Sequence, residues 1–190
     1  TGSRDAWVRL AGDNDGLRTT LERLHALFSE ATTLGSLIDP AAARGAGTFW
    51  EVPEGEIEPL LGRALALEEE RDPVAALYGE TAVAVARAAR LLSRRYTLVA
   101  TNVPYLARGR QGVTLKKYLD SAYRKARHDL ATAFVERCAA FVEQGGTVAV
   151  VTPQNWRYLS SYKAFRQALL QRHTCQVLAP LGPGAFRRVS

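Results

Sequence analysis

Three short β-rich runs alternate with two amphipathic segments in the second half of the chain, and this order constrains the fold most. The strands are predicted over residues 96–101, 147–152 and 175–181, and the intervening helices over residues 129–143 and 160–172. Strands that are separated by helices pair in parallel through right-handed crossover connections. The sequence therefore predicts a parallel α/β sheet in this half.

The first of these strands ends at Asn102-Val103-Pro104-Tyr105, which is hereafter called the corner. Pro104 has no backbone N–H and disfavours helical backbone at Val103, so the chain must leave the strand and turn. The corner thus presents an amide and an aromatic ring at the C-terminal end of a strand. Because ligands bind at that edge of open α/β sheets, the corner is the first candidate functional site.

The first half of the chain, residues 1–95, is predicted to be mostly helical. Apolar residues at steps of three and four predict amphipathic helices over residues 15–34, 54–71 and 73–94. Residues 6–10 are interpreted as a short strand. Because no motif in this half carries chemistry, we interpret residues 1–95 as a helical insertion that leads into residues 96–190.

Composition bounds the class of protein. The chain has 190 residues, 47% of them hydrophobic, which is enough for a sizeable core. A net charge of +6 fits an anionic partner such as nucleic acid, although a merely basic surface explains it as well. No apolar run approaches the roughly 18 residues of a membrane span, so we expect no membrane association and a cytoplasmic location.

The cysteines and histidines predict no metal site. Cys138 and Cys175 have no partner at metal-ligand spacing, and both are expected to be reduced core residues. The three histidines are scattered along the chain. The chain starts at Thr1 and contains no Met, so we expect it to be a piece of a longer polypeptide.

The corner resembles the Asn-Pro-Pro-Tyr motif of S-adenosylmethionine (SAM)-dependent methyltransferases that modify exocyclic or amide nitrogens. Three further segments, residues 129–137, 144–156 and 181–186, resemble the same enzymes in the same order. Together they resemble the adenine-specific DNA methyltransferases of type IIG restriction–modification and BREX phage-exclusion systems. This resemblance implies the C-terminal part of a class I, Rossmann-like methyltransferase sheet, with residues 96–190 as a partial catalytic domain.

The resemblance also implies roles for the corner in methylating the exocyclic N6 amine of adenine. The Asn102 side chain and the Val103 carbonyl would accept hydrogen bonds from the two N–H groups of the amine. Val103 stands where the family has Pro, but any residue supplies a carbonyl. Tyr105 would stack on a base flipped out of the duplex. Phe186 would cover the other face of the base, although a core position explains it equally well.

The cofactor implied by the resemblance is SAM. Leu130 and Phe134 resemble positions that wall its adenosine pocket, with Asn102 beside them, although plain core packing is an equal explanation. Asp129 is expected to cap the helix that follows it. The family's Gly-rich SAM-binding loop is not found in the sequence. We therefore expect the isolated chain to bind SAM poorly and to need the rest of its parent polypeptide.

Double-stranded DNA is the partner implied by the resemblance. Two groups of residues are candidates for DNA contact, namely Arg108, Arg110, Lys116 and Lys117, and Gln154, Asn155 and Trp156. A solvated basic loop and an ordinary helix-entry loop are the alternatives. Two other functions stay open, a methyltransferase acting on an RNA base or a protein glutamine, and an inactive methyltransferase fold that binds nucleic acid.

Overall fold

The computed structural model describes residues 4–42, 54–71 and 73–182. The chain divides into two compact units, Thr1–Tyr96 and Thr97–Ser190. The helices and strands of the described residues are, in chain order, α1 (Arg4–Arg9), α2 (Asp15–Phe28), α3 (Ala31–Leu34), α4 (Glu54–Arg71), α5 (Pro73–Ser93), β1 (Tyr96–Asn102), α6 (Val113–Ala122), α7 (Leu130–Ala140), β2 (Val142–Val151) and α8 (Lys163–Arg172).

The first unit is helical, as the periodicity predicts. The helix predicted over residues 54–71 is α4, and the one predicted over residues 73–94 is α5, which ends one residue earlier. The predicted helix over residues 15–34 is divided into α2 and α3, because Ser29 and Glu30 interrupt it. Asn14 caps α2, since its Oδ1 accepts a hydrogen bond from the Leu17 N–H at 2.9 Å.

The strand predicted over residues 6–10 is wrong, because residues 6–9 lie in helix α1 and Leu10 lies in the turn that follows. Trp7 in α1 is buried, and so are Leu10 and Ala11 in that turn, three and four positions further along. The Trp7 ring also meets the His25 ring edge-on, at 5.2 Å between centroids. In so short an apolar run, alternation and helical spacing are hard to tell apart.

The second unit contains a parallel pair of strands, β1 and β2, with α7 packed on β2. Val103, Ala131 and Cys138 form a buried cluster between the end of β1 and α7. Partly buried apolar side chains of the strands and of α7 pack against this cluster, namely Val99, Phe134, Val148 and Val150. The described residues thus form a mostly helical α/β protein, and in its second unit this cluster lies directly beneath the corner.

The second strand is longer than the sequence predicts. Helix α7 ends at Ala140, and β2 starts at Val142 rather than at residue 147. Gly145 and Gly146 fall between the predicted helix and the predicted strand, but both lie inside β2. Gly145 has φ of 84°, a conformation that suits glycine, so the pair permits a local irregularity in the strand.

The strand predicted over residues 175–181 is wrong within the described part of the chain. These residues form no regular secondary structure and are exposed. Cys175 is therefore exposed rather than in the core, whereas Cys138 is buried as predicted, and both thiols are free. None of the helices in the described ranges combines the length and apolar character needed to cross a bilayer.

Candidate active site

The corner lies at the C-terminal end of β1, where Asn102 is the last residue of the strand. Asn102, Pro104 and Tyr105 are exposed, whereas the Val103 side chain is only 3% exposed and packs into the core. Because β1 and β2 are parallel, the loop after β2 leaves the sheet at the same edge. The corner is thus anchored by one buried side chain between exposed polar and aromatic neighbours.

A hydrogen bond joins two side chains of the corner. The Tyr105 hydroxyl donates to Asn102 Oδ1 at 3.1 Å. An amide oxygen has two lone pairs, so this bond leaves one free for another donor. The bond also fixes the amide and the phenol ring relative to each other on an otherwise exposed surface.

The chain that follows the corner is attached to the start of α7. Asp129 caps α7 as predicted, since its Oδ1 accepts from the Ala131 N–H at 2.8 Å. The same oxygen accepts from the Leu106 N–H at 3.3 Å, and the Leu130 N–H donates to the Leu106 carbonyl at 3.0 Å. An antiparallel bridge between Ala107 and Asp129 continues this pairing. The corner and the N-terminus of α7 therefore form one local unit.

The two candidate cofactor residues lie on α7 close to the corner. Leu130 and Phe134 are both half-buried, and Phe134 packs against the cluster of Val103, Ala131 and Cys138. Burial raises the pKa of the Cys138 thiol, and the Arg137 charge opposes this shift only in part. Cys138 is therefore a protonated core thiol at neutral pH rather than a nucleophile.

The candidate DNA-contacting cations after the corner differ in whether an acidic side chain already binds them. Arg108 is paired with Asp120 at 2.6 Å, and Arg127 binds the other oxygen of the same carboxylate at 3.1 Å. Hydrogen bonding and charge from Arg108, followed by those from Arg127, hold the pKa of Asp120 below its usual range. Arg110 and Lys117, by contrast, are exposed.

The candidate residues after β2 lie on a short 3₁₀ helix, Gln154–Arg157. Gln154 and Asn155 are exposed. Trp156 is half-buried, because its Nε1 donates to Thr152 Oγ1 at 2.9 Å and its ring meets Phe165 edge-on at 5.5 Å. Trp156 therefore packs against the fold, whereas the two amides before it face solvent.

One candidate cation is less exposed than its neighbour, and one predicted position lies outside the described residues. Lys116 is half-buried on α6, whereas Arg110 and Lys117 are exposed. Phe186 falls in the range 183–190, which the structure does not describe. Among the described residues, no group of three or more His, Cys, Asp or Glu side chains is arranged to hold a metal ion.

Several residues that organise the site were not predicted. Gln111 is buried and its Nε2 donates to the Leu106 carbonyl at 3.1 Å. Arg166 on α8 holds the loop after β2 by donating to the Trp156 and Leu159 carbonyls, each at 2.7 Å. Asp120 is the only acidic residue between positions 106 and 128, among seven basic ones, and that isolation was a usable signal.

Comparison with known proteins places this arrangement among the methylases of restriction–modification systems. A family described as "Eco57I restriction-modification methylase" matches residues 66–184, more than half of the chain and including the corner, α7 and β2. The chain belongs to this family. The resemblance inferred from the four sequence segments is therefore confirmed at the level of the family.

Two curated relatives match the chain. The adenine-specific methyltransferase BrxX of Escherichia coli O9:H4 (strain HS) is 30% identical over 184 residues, which are 95% of this chain and 14% of the relative. The adenine-specific methyltransferase PglX of Lacticaseibacillus casei (strain Zhang) is 33% identical over 103 residues, 54% of this chain and 8% of the relative. The chain thus spans a small part of the length of these relatives.

Proposed function

We propose that residues 96–190 form part of the catalytic domain of a SAM-dependent, adenine-specific DNA methyltransferase. The protein would act in the cytoplasm, in a restriction–modification or phage-defence system. Residues 1–95 would be a helical insertion in front of this domain, whose complete sheet would be of the Rossmann-like, class I type. Membership of the methylase family, and the names of two adenine-specific relatives, support this proposal.

The observation that carries the proposal is the bond between Tyr105 and Asn102. It keeps an amide oxygen and an aromatic ring together at a strand end. The lone pair of the adenine N6 amine is delocalised into the ring, so the amine is a weak nucleophile. Asn102 Oδ1 and the Val103 carbonyl would each accept one of its N–H groups, which localises the lone pair on nitrogen. Tyr105 would stack on the flipped base and orient it.

The cofactor would be SAM, which supplies a methyl group on a sulfonium sulfur. The residues present fit its adenine end, because Leu130 and Phe134 are apolar, only half-buried and next to the corner. These two side chains and Asn102 would hold it. Since the sequence lacks the family's Gly-rich loop, the proposed activity belongs to the intact protein, and residues 1–190 alone are expected to transfer no methyl group.

Double-stranded DNA would lie across the edge where both strands end. The exposed Arg110 and Lys117 would contact phosphates, and the exposed amides of Gln154 and Asn155 would reach phosphates or base edges. Arg108 is held by Asp120, so we expect it to shape the loop more than to bind DNA. Flipping adenine out of the duplex costs roughly a few kcal/mol of free energy, and stacking on Tyr105 would offset part of that cost.

The test uses the intact protein that carries this sequence, incubated with SAM and plasmid DNA that is then digested to nucleosides for mass spectrometry. We expect N6-methyladenine from the wild type and none above background from Asn102→Ala. Gln144→Ala is the matched control, since Gln144 is an exposed amide of β2 away from the corner.

The other outcomes separate the alternative functions. Methylcytosine in place of methyladenine would keep the mechanism and correct the base. Methylated RNA or a methylated protein glutamine would move the activity to a different substrate. Binding to DNA with no modified product at all would contradict catalysis and favour an inactive nucleic-acid-binding module.

A further inference from the structure

We propose that Asp129 and Gln111 are positioning residues for the corner. They hold the backbone of Leu106, the residue after Tyr105, and so fix where the Tyr105 ring and the Asn102 amide stand. We call these two side chains the Leu106 clamp. The inference rests on the proposed function, because it assigns the clamp to the same reaction.

Asp129 performs two tasks with one carboxylate oxygen. Its Oδ1 accepts from the Ala131 N–H at 2.8 Å, which caps α7, and from the Leu106 N–H at 3.3 Å. The residue is only 6% exposed, so little water competes for this oxygen. A helix cap needs only the first bond. The second bond reaches across 23 positions in the sequence and ties the chain after the corner to the start of α7.

Gln111 completes the clamp from the other side. Its side chain is 3% exposed, and its Nε2 donates to the Leu106 carbonyl at 3.1 Å. That carbonyl also accepts from the Leu130 N–H at 3.0 Å. Both backbone groups of Leu106 are thereby bonded, the N–H to Asp129 and the carbonyl to Gln111 and Leu130. Few rotations remain for the peptide that carries Tyr105.

Tyr105 needs such support because its own side chain is 49% exposed and gains little from packing. Its hydroxyl bonds to Asn102, which is exposed as well. Two exposed side chains bonded to each other do not fix their position relative to the rest of the site. The bonds to the Leu106 backbone fix the position of both side chains relative to α7. Such positioning matters because a misplacement of about 1 Å can lower the reaction rate roughly a hundredfold.

The test compares Asp129→Ala with Asp129→Asn in the intact protein. Asparagine keeps an oxygen that accepts both N–H bonds, whereas alanine keeps none. We expect Asp129→Ala to lower kcat for adenine methylation by roughly ten- to a hundredfold, with the KM for DNA changing less. We expect Asp129→Asn to stay within about threefold of the wild type. Gln111→Met should have a smaller effect than Asp129→Ala, because the Leu106 carbonyl keeps its bond from Leu130.

One control variant and one fluorescent probe separate positioning from the loss of a helix cap. Asn14→Ala removes the cap of α2, where Asn14 Oδ1 accepts from the Leu17 N–H at 2.9 Å, and should leave kcat per folded molecule unchanged. A duplex with 2-aminopurine at the target position reports stacking directly. Flipping raises the fluorescence of this base and stacking on Tyr105 lowers it again, so the Asp129→Ala complex should be brighter than the wild-type complex.

Equal kcat in Asp129→Ala and Asn14→Ala would overturn the inference, and so would Asp129→Asn as slow as Asp129→Ala. If the wild type makes no methyladenine, the proposed function fails instead. Hydrogen exchange at the Leu106 amide then tests the clamp independently of catalysis. Faster exchange in Asp129→Ala, restored in Asp129→Asn, would support the clamp, and unchanged exchange would refute it.

Discussion

Val103 and Tyr105, two residues apart, have opposite surroundings. The Val103 side chain packs on Ala131 and Cys138, whereas Tyr105 stands half in solvent. A β-branched apolar residue between Asn102 and Pro104 therefore contributes to the core while its carbonyl remains in the corner. This explains how Val can occupy a position where the family motif has Pro, since the side chain is needed for packing and only the carbonyl for the proposed chemistry.

The two parts of the Tyr105 side chain can be tested separately. Tyr105→Ala removes the ring, and loss of base stacking, worth about 1–3 kcal/mol per base, should lower kcat/KM by roughly 5- to 150-fold. Tyr105→Phe removes only the bond to Asn102 Oδ1 and should cost less, because the ring is kept. Methylation kinetics on one oligonucleotide duplex would measure both. A larger decrease in the Phe variant than in the Ala variant would contradict the stacking role.

At the scale of the elements, features that depend on neighbouring residues were predictable, and contacts between distant segments of the chain were not. Asp129 caps α7 as predicted, because a helix cap needs only its own side chain and a backbone N–H two residues away. The bond from Leu106 to the same oxygen depends on how β1 and α7 come together, and no local pattern encodes that. The start of β2 was missed for a similar reason, since glycines usually end elements and here they lie inside one.

Gly146 shows what the irregular part of β2 requires. A Cβ added there would collide with the Val142 side chain and lie 2.8 Å from the Thr97 carbonyl oxygen on β1. We expect Gly146→Ala to destabilise the strand pair by about 1–3 kcal/mol, because neither backbone can move away freely. Hydrogen–deuterium exchange of the peptide over residues 96–102 should accelerate. Gly112→Ala is the control, since a Cβ on Gly112 meets nothing within 4 Å, and it should leave that peptide unchanged.

At the scale of the whole molecule, the helical first half and the strand–helix–strand order of the second half were predictable from periodicity. The predicted third strand was not, since residues 175–181 are apolar enough for a strand but none of the described residues pairs with them. A strand depends on a neighbour to bond, and a neighbour is a property of the assembled sheet. The motif predicted that Asn102, Val103 and Tyr105 stand together at a strand end, whereas no local pattern predicted the bonds of Asp129 and Gln111 to the backbone of Leu106.

The charge of the whole molecule is concentrated next to the corner. Residues 106–128 carry seven basic side chains and one acidic one, and the rest of the chain has equal numbers of both, so this segment accounts for the net +6. Within it, Asp120 pairs with Arg108 and Arg127, whereas Arg110 and Lys117 are exposed. The segment therefore offers exposed cations on a loop and helix that ion pairs hold in place.

The salt dependence of DNA binding should distinguish these two kinds of cation. Removing one cation that neutralises a phosphate lowers the slope of log K against log salt concentration by about 0.9 for duplex DNA. We expect Arg110→Ala and Lys117→Ala each to reduce the slope by roughly that amount, with the same decrease in affinity for every duplex sequence, because phosphates carry no sequence information. Fluorescence anisotropy of the intact protein over a salt series measures it. Arg94→Ala, which removes an exposed charge outside the segment, is the control. If Arg94→Ala lowers the slope as much as Arg110→Ala does, the effect is one of total charge, and residues 106–128 are not the phosphate-binding surface.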